Sequence, residues 1–359
     1  MDIYDVYLGL CCCVSLGCRK ASELLETAPD KNGLFDGDLK GMEKAGIITG
    51  LMRSEMEKWS SEAFRNGIKQ EMERKGIRFV PQFEKGFPLL LKETELCPLG
   101  LFVSGSLPGD DELCIAVIGS RGCSGYGRSN AFSISKELAE GGISIVSGMA
   151  AGIDSAAIRG ALEGGGRAYA VLGSGVDICY PVENFDIFDK LTTRGGIISE
   201  YPPGTEPLSW HFPVRNRIIS GLSKGIFVVE AAEKSGTSIT VERGLEQGRD
   251  IFALPGRAGD RNSEGTNLLI REGARAAWKA SHIMSEYGLD LPEKVIKSQK
   301  SHLDNMEKLV YSTICCTPET AEAIAERTGL SMKTLYQVLV RLQLKGLITE
   351  IGVQQYVLA

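Results

Sequence analysis

Between residues 77 and 253 one pattern repeats: a short apolar run, a glycine-bearing turn, then a longer stretch whose apolar residues recur at helical spacing. The runs at 77–79, 100–103, 114–118, 144–146, 168–171, 196–199, 225–229 and 250–253 are almost free of charge, so both faces of each strand need cover. Helices at 129–140, 155–163, 185–191 and 239–247 supply that cover. Short buried strands alternating with helices predict a doubly wound, mostly parallel α/β sheet. Glycine punctuates the pattern, with 26 of the 43 glycines in residues 113–280.

The flanks read differently. Helical stretches at 3–14, 22–25, 39–45 and 54–75, joined by turns at Gly17, Gly33, Gly37 and Gly46, predict a small N-terminal helical domain over 1–75. Its Gly46-Ile47-Ile48-Thr49-Gly50 segment suits either a plain helix–helix turn or a helix-hairpin-helix-like grip on a DNA backbone. The α/β domain spans 76–286, and a polar stretch over 287–304 reads as a linker. After it, helices at 306–315, 320–328 and 331–345 and a hairpin around Gly352 predict a winged-helix module over 305–359. Its third helix offers only Lys333, Arg341 and Lys345. So nearly neutral a module serves protein contact as readily as DNA docking.

Five segments follow strand ends, where doubly wound sheets bind ligands and helix N-termini favour anions. Gly119-Ser120-Arg121 offers open backbone, a hydroxyl and a guanidinium, without the GxGxxG spacing of a dinucleotide site. Ser147-Gly148-Met149-Ala150 runs into Gly152-Ile153-Asp154, where Asp154 or Ser155 can cap a helix. Tyr180 and Phe185 lie near the same sheet edge and can stack bases, or else pack in the core. Arg215-Asn216-Arg217 suits a polyanion, or an ion pair with Glu200 or Glu230, and Ser235-Gly236-Thr237 follows the next strand.

Composition excludes several classes. Forty basic against 46 acidic residues give a net charge of −6, so any nucleic-acid contact must be a local, salt-sensitive groove. No apolar window reaches the length of a membrane helix, and the acidic start Met1-Asp2-Ile3-Tyr4-Asp5 does not resemble a signal peptide, which predicts a cytoplasmic protein without membrane contact. Ten cysteines contain no CxxC pair and three histidines, at 211, 282 and 302, are widely spaced. The cysteines therefore read as small buried hydrophobes, with neither metal nor cofactor expected.

Taken together, Gly119-Ser120-Arg121, Ser147-Gly148, Gly152-Ile153-Asp154, Tyr180-Pro181, Ser199-Glu200, Phe212-Pro213 with Arg215-Asn216-Arg217, Glu230, Ser235-Gly236 and Pro255-Gly256 resemble the DprA (Smf, DNA-processing protein A) family over about residues 77–280. The resemblance implies an extended Rossmann-like domain that binds single-stranded DNA, dimerises and helps load the RecA recombinase in natural transformation, without catalytic turnover. It implies that Arg121 holds a phosphate while Gly148, Gly152 and Asp154 shape the pocket. The chain departs from the family at Ile158, where a histidine is common, and at Val182, where a basic residue is common; the second departure implies the loss of a DNA contact, with either weaker affinity or compensation from Arg159 or Lys190. The predicted DNA-contacting set is thus Gly119, Ser120, Arg121, Ser147, Gly148, Met149, Ala150, Gly152, Asp154, Arg159, Tyr180, Phe185, Arg215, Asn216, Arg217, Ser235, Gly236 and Thr237. The alternative is an enzyme similar to Rossmann-like nucleotide phosphoribohydrolases, with Glu230 or Asp154 as the working carboxylate.

Overall fold

The computed structural model describes residues 1–233, 235–290, 304–314, 318–344, 348–352 and 354–358. Two compact units divide the chain, residues 1–290 and 291–359. The first opens with helices α1 (Ile3–Cys12), α2 (Gly17–Thr27), α3 (Leu39–Lys44), α4 (Gly50–Ser60) and α5 (Glu62–Arg74). The single helix expected over 54–75 is instead two. Ser61 is extended between them, and its hydroxyl accepts from the amide of Phe64 to cap α5. The Gly46 to Gly50 segment joins α3 to α4, with Thr49 as the cap. Trp59 is almost fully buried and donates its indole N–H to the carbonyl of Asp5, 3.0 Å away. These helices share the sheet's unit: Tyr4 meets Phe79 edge-on and Lys75 pairs with Asp177 at 2.7 Å.

The sheet contains β1 (Ile77–Pro81), β2 (Gly100–Gly105), β3 (Cys114–Ile118), β4 (Ser144–Ser147), β5 (Ala168–Val171), β6 (Gly195–Ser199), β7 (Gly225–Val228), β8 (Asp250–Ala253) and β9 (Arg275–Ala276). Their spatial order is β1-β2-β6-β5-β4-β3-β7-β8-β9. β1, β2 and β6 pair antiparallel, and every pairing from β6 to β9 is parallel. The predicted strands are all present, extended by the two-residue β9, which is too short to show a pattern. From β3 the chain winds outward through β4, β5 and β6, then returns to lay β7 on the other flank of β3. The winding direction therefore reverses between β3 and β7, where such sheets open a crevice.

Helices α6 (Leu89–Lys92), α7 (Gly125–Glu140), α8 (Ile153–Glu163), α9 (Phe185–Leu191), α10 (His211–Gly221), α11 (Gly236–Glu246), α12 (Arg261–Arg271) and α13 (Ala280–Met284) surround the sheet. Three begin earlier than the periodicity indicates, α7 by four residues, α8 by two and α11 by three, because glycines that read as loop form their first turns or N-caps. Neither Asp154 nor Ser155 is the N-cap of α8; Gly152 is. α7 and α8 pack backbone to backbone, since a Cβ on Gly160 would stand 2.1 Å from the carbonyl oxygen of Phe132. Tyr169, Phe102, Phe227 and Phe252 fill the core.

The second unit holds helices Asn305–Thr313, Ala321–Thr328 and Met332–Leu344 with strands Glu319–Thr320, Ile348–Gly352 and Gln355–Leu358 in one antiparallel sheet, a winged-helix arrangement. Val310, Ile324, Leu335, Leu339 and Tyr356 make its core. The third strand, Glu319–Thr320, joins the expected hairpin by pairing with Gln355 and Tyr356. Arg341 pairs with Asp304 at 3.3 Å. Lys345, Cys315, Cys316 and most of the expected linker lie outside the described residues, while Tyr287 packs into the first unit against Phe252 and Asp250. Among the described residues no helix is long and apolar enough to cross a membrane. Of the eight described cysteines, all free, Cys13 and Cys114 are buried and the other six are partly buried, none of them exposed; Cys11, Cys13 and Cys18 line a small cavity beside Glu200.

Candidate nucleic-acid interface

Just beyond the carboxyl ends of β3 and β7 lies a cleft of about 320 Å³. Its walls include Gly119, Ser120, Arg121, Ala150, Asp154, Phe212, Arg215, Asn216, Ser235, Gly236 and Thr237, ten of which belong to the predicted DNA-contacting set. Phe212 is the addition. The Arg121 guanidinium carbon lies 5.3 Å from its ring centre, that of Arg215 lies 5.9 Å away, and Tyr180 packs on it at 5.8 Å with planes 30° apart. Tyr180 is half exposed and Arg121 is exposed, so an aromatic shelf and a guanidinium face solvent together.

Glycines and one carboxylate set the loop that carries Arg121. Gly152 has φ +86°, and a Cβ there would lie 2.4 Å from the carbonyl oxygen of Ser120 and 2.5 Å from that of Arg121. Only glycine lets the two turns touch. Glu230, just past β7 and 1% exposed, holds the loop at two points. Its carbonyl accepts from the amide of Ser120 at 2.8 Å, and its carboxylate accepts both the amide and the hydroxyl of Ser124, at 2.8 and 2.5 Å. Ser124 in turn caps α7.

Beneath the loop Arg215 is 4% exposed and donates to the carbonyls of Val171 and, at 2.9 Å, Gly148. Burial pulls its guanidinium down to about 10, partly opposed by the carboxylate of Asp154. Asp154 accepts from the amides of Gly148 and Ala150 at 3.1 and 3.4 Å. Burial raises its carboxyl above the ordinary carboxylate range, while Arg215 works in the opposite direction. The opposite wall is the N-terminus of α11, where the buried hydroxyl of Ser235 finds no partner among the described residues. Backbone amides, an unpaired hydroxyl and an exposed guanidinium converge, which is the chemistry that receives a phosphate.

The remaining predicted residues lie elsewhere. Ser147 is buried and donates to the carbonyl of Val117 at 2.6 Å, Gly148 lies against Arg215 and Asp154, and Met149 is buried with its carbonyl accepting from the side-chain amide of Asn184 at 2.9 Å. Arg159 is bound to Asp186, 2.8 Å from its second carboxylate oxygen, and lines a neighbouring depression with Gly152. Phe185 is 62% exposed at the start of α9. Arg217 is buried and paired with Glu200 at 2.6 Å, on the face of α10 turned away from the cleft, so the ion-pair arrangement is the one found.

A profile described as DNA recombination-mediator protein A matches residues 78–288, more than half of the chain. The chain belongs to this family. It is 39% identical over 223 residues to the DNA processing protein DprA of Bacillus subtilis, covering 62% of this chain and 74% of that one. Among solved structures it resembles DprA of Streptococcus pneumoniae, at TM-score 0.67 and 33% identity over 80% of this chain and 98% of that one. It also resembles DprA of Helicobacter pylori, a protein described for its unique single-stranded DNA binding mode, at TM-score 0.52 and 26% identity over 59% and 95% of the two chains. Against the DprA pattern, Ile158 is fully buried in α8, whereas Val182 is 72% exposed and leaves an apolar side chain where a basic one is common.

Proposed function

We propose that this chain binds single-stranded DNA without regard to base sequence and acts as a recombination mediator in the cytoplasm, loading RecA on incoming DNA in natural transformation, as a homodimer. The convergence of exposed Arg121, the α11 N-terminus and the Phe212–Tyr180 shelf in one cleft carries the binding step. Amides and a guanidinium take the backbone while the rings take any base, at about 1–3 kcal/mol each. RecA loading and dimerisation are supported by membership of the family. RecA assembly on single-stranded DNA, followed with and without the protein, tests the loading step.

The binding test is a gel shift with single-stranded and duplex oligonucleotides at two salt concentrations. Arg121→Glu is expected to weaken single-strand binding about 100-fold and to reduce the salt slope by about 0.7 for each phosphate that is no longer neutralised. Equal affinity for duplex and single strand, or unchanged binding by Arg121→Glu, sinks the reading.

The phosphoribohydrolase alternative needs a carboxylate free to work on a nucleotide. Glu230 commits both oxygens to Ser124, and Asp154 is held by two amides beneath Arg215. Glu230→Gln is accordingly expected to behave as a weakened helix cap, lowering stability by about 1–2 kcal/mol in urea denaturation. Release of free base from nucleoside monophosphates by the wild type, abolished in Glu230→Gln, would favour the enzyme.

A further inference from the structure

The cleft has a neighbour. Across the Ala150-Ala151-Gly152 turn lies a broader depression of about 740 Å³, between the first turns of α7 and α8, with Pro181, Glu183 and Asn184 along its rim. The two share their borders: Ala150 lines one and Ala151 the other, and Pro181, which lines the second, directly follows Tyr180, which packs on Phe212 in the first. Two α7 residues face into the depression one helical turn apart, Arg128 and Phe132. Arg128 is exposed and forms no ion pair among the described residues, whereas Arg159 opposite is neutralised by Asp186. Phe132 keeps 36% of its surface exposed, and the only carboxylate in the lining is that of Glu183.

We propose that the single strand held in the cleft continues over Tyr180 into this depression, with the Arg128 guanidinium on a backbone phosphate and the Phe132 ring beneath a base. The proposal rests on the reading of the cleft as a single-strand site. One uncompensated cation and one exposed ring, four residues apart on α7, place in the adjoining depression the same two kinds of group that Arg121 and Phe212 place in the cleft. The floor of Gly125, Ser129, Ala151, Gly152 and Ser155 lets a backbone approach closely. Those small residues let a phosphate chain pass close to the Arg128 charge, and the exposed ring beside it offers a base a stacking face.

The experiment is fluorescence anisotropy with oligothymidylates of about 4 and about 12 residues, the shorter filling the cleft and the longer reaching both depressions. Arg128→Glu and Phe132→Ala are expected to leave the short oligonucleotide unaffected and to weaken the long one about 10-fold, with Arg128→Gln intermediate and melting temperatures unchanged. Arg121→Glu weakens both lengths. Variants of Arg128 and Phe132 that bind both lengths like the wild type, or weaken on both equally, overturn the proposal. Unchanged binding accompanied by a shift in sedimentation would assign the patch to contact between copies and overturn it as well. A wild type that binds neither length fails the reading of the cleft itself.

Discussion

Replacing Arg215 by methionine is expected to destabilise the first unit by about 3–5 kcal/mol, because it leaves a buried carboxylate without its counter-charge. Methionine reproduces most of the apolar stem, so the loss reads the guanidinium rather than a void. The group bridges the carbonyls of Gly148 and Val171 and faces Asp154, whose other cationic neighbour is the exposed Arg121. The pH dependence follows from Asp154. Its carboxyl is raised by burial even with Arg215 present, so the folded protein binds that proton more tightly than the unfolded chain does. Stability contributed by such a group is fully present below the unfolded value and is lost as pH rises through the raised folded one. Without Arg215 the carboxyl is pushed higher still, so the deficit of Arg215→Met should shrink as pH falls from about 8 to about 5. Adding Asp154→Asn should recover a large part of it at neutral pH. Urea denaturation at both pH values checks this; a deficit independent of pH and untouched by Asp154→Asn would show that the pair is not electrostatically coupled.

Arg215 and Arg217 also show what the sequence makes legible. The strands and their alternation with helices were readable because buried strands this short carry almost no charge. The loop clusters were readable because glycine beside arginine recurs at strand ends. The orientation of the two arginines was not. Placed at a helix start, both can reach one ligand; in the structure α10 begins at His211, which puts them mid-helix. At 3.6 residues per turn, side chains two apart point about 200° from each other. One therefore floors the cleft and the other pairs with Glu200 behind it. Once the helix start is known the separation follows, but Trp210 provides no side-chain cap to mark that start.

The meaning of the glycine excess was likewise only half legible. Gly119, Gly148 and Gly152 shape the cleft, but Gly160 and Gly164 serve the packing of α7 on α8, where a Cβ would strike the carbonyls of Phe132 and Lys136. Composition counts both kinds alike. The contribution of Phe212 was present as part of a Phe-Pro pair, yet its position under two guanidiniums arises from three elements that meet only in the fold.

Gly152→Ala separates these roles with the largest expected effect on binding. At φ +86° and ψ −123° the backbone occupies a region essentially closed to side chains, and the added methyl would sit too close to two carbonyl oxygens. Those oxygens belong to Ser120 and Arg121, so relief of the clash must move the loop that aims the guanidinium, and the amide of Ile153, which donates to the Ser120 carbonyl at 3.3 Å, moves with it. The substitution should cost about 2–5 kcal/mol of stability and weaken single-strand binding at least as much as Arg121→Glu does. Gly122→Ala is the matched control, since open space surrounds that position and its loop can keep its path. Anisotropy at equal folded fraction, set by denaturation curves for the two variants, isolates the binding effect. If folded Gly152→Ala binds like the wild type, the touching of the two turns does not govern the aim of Arg121.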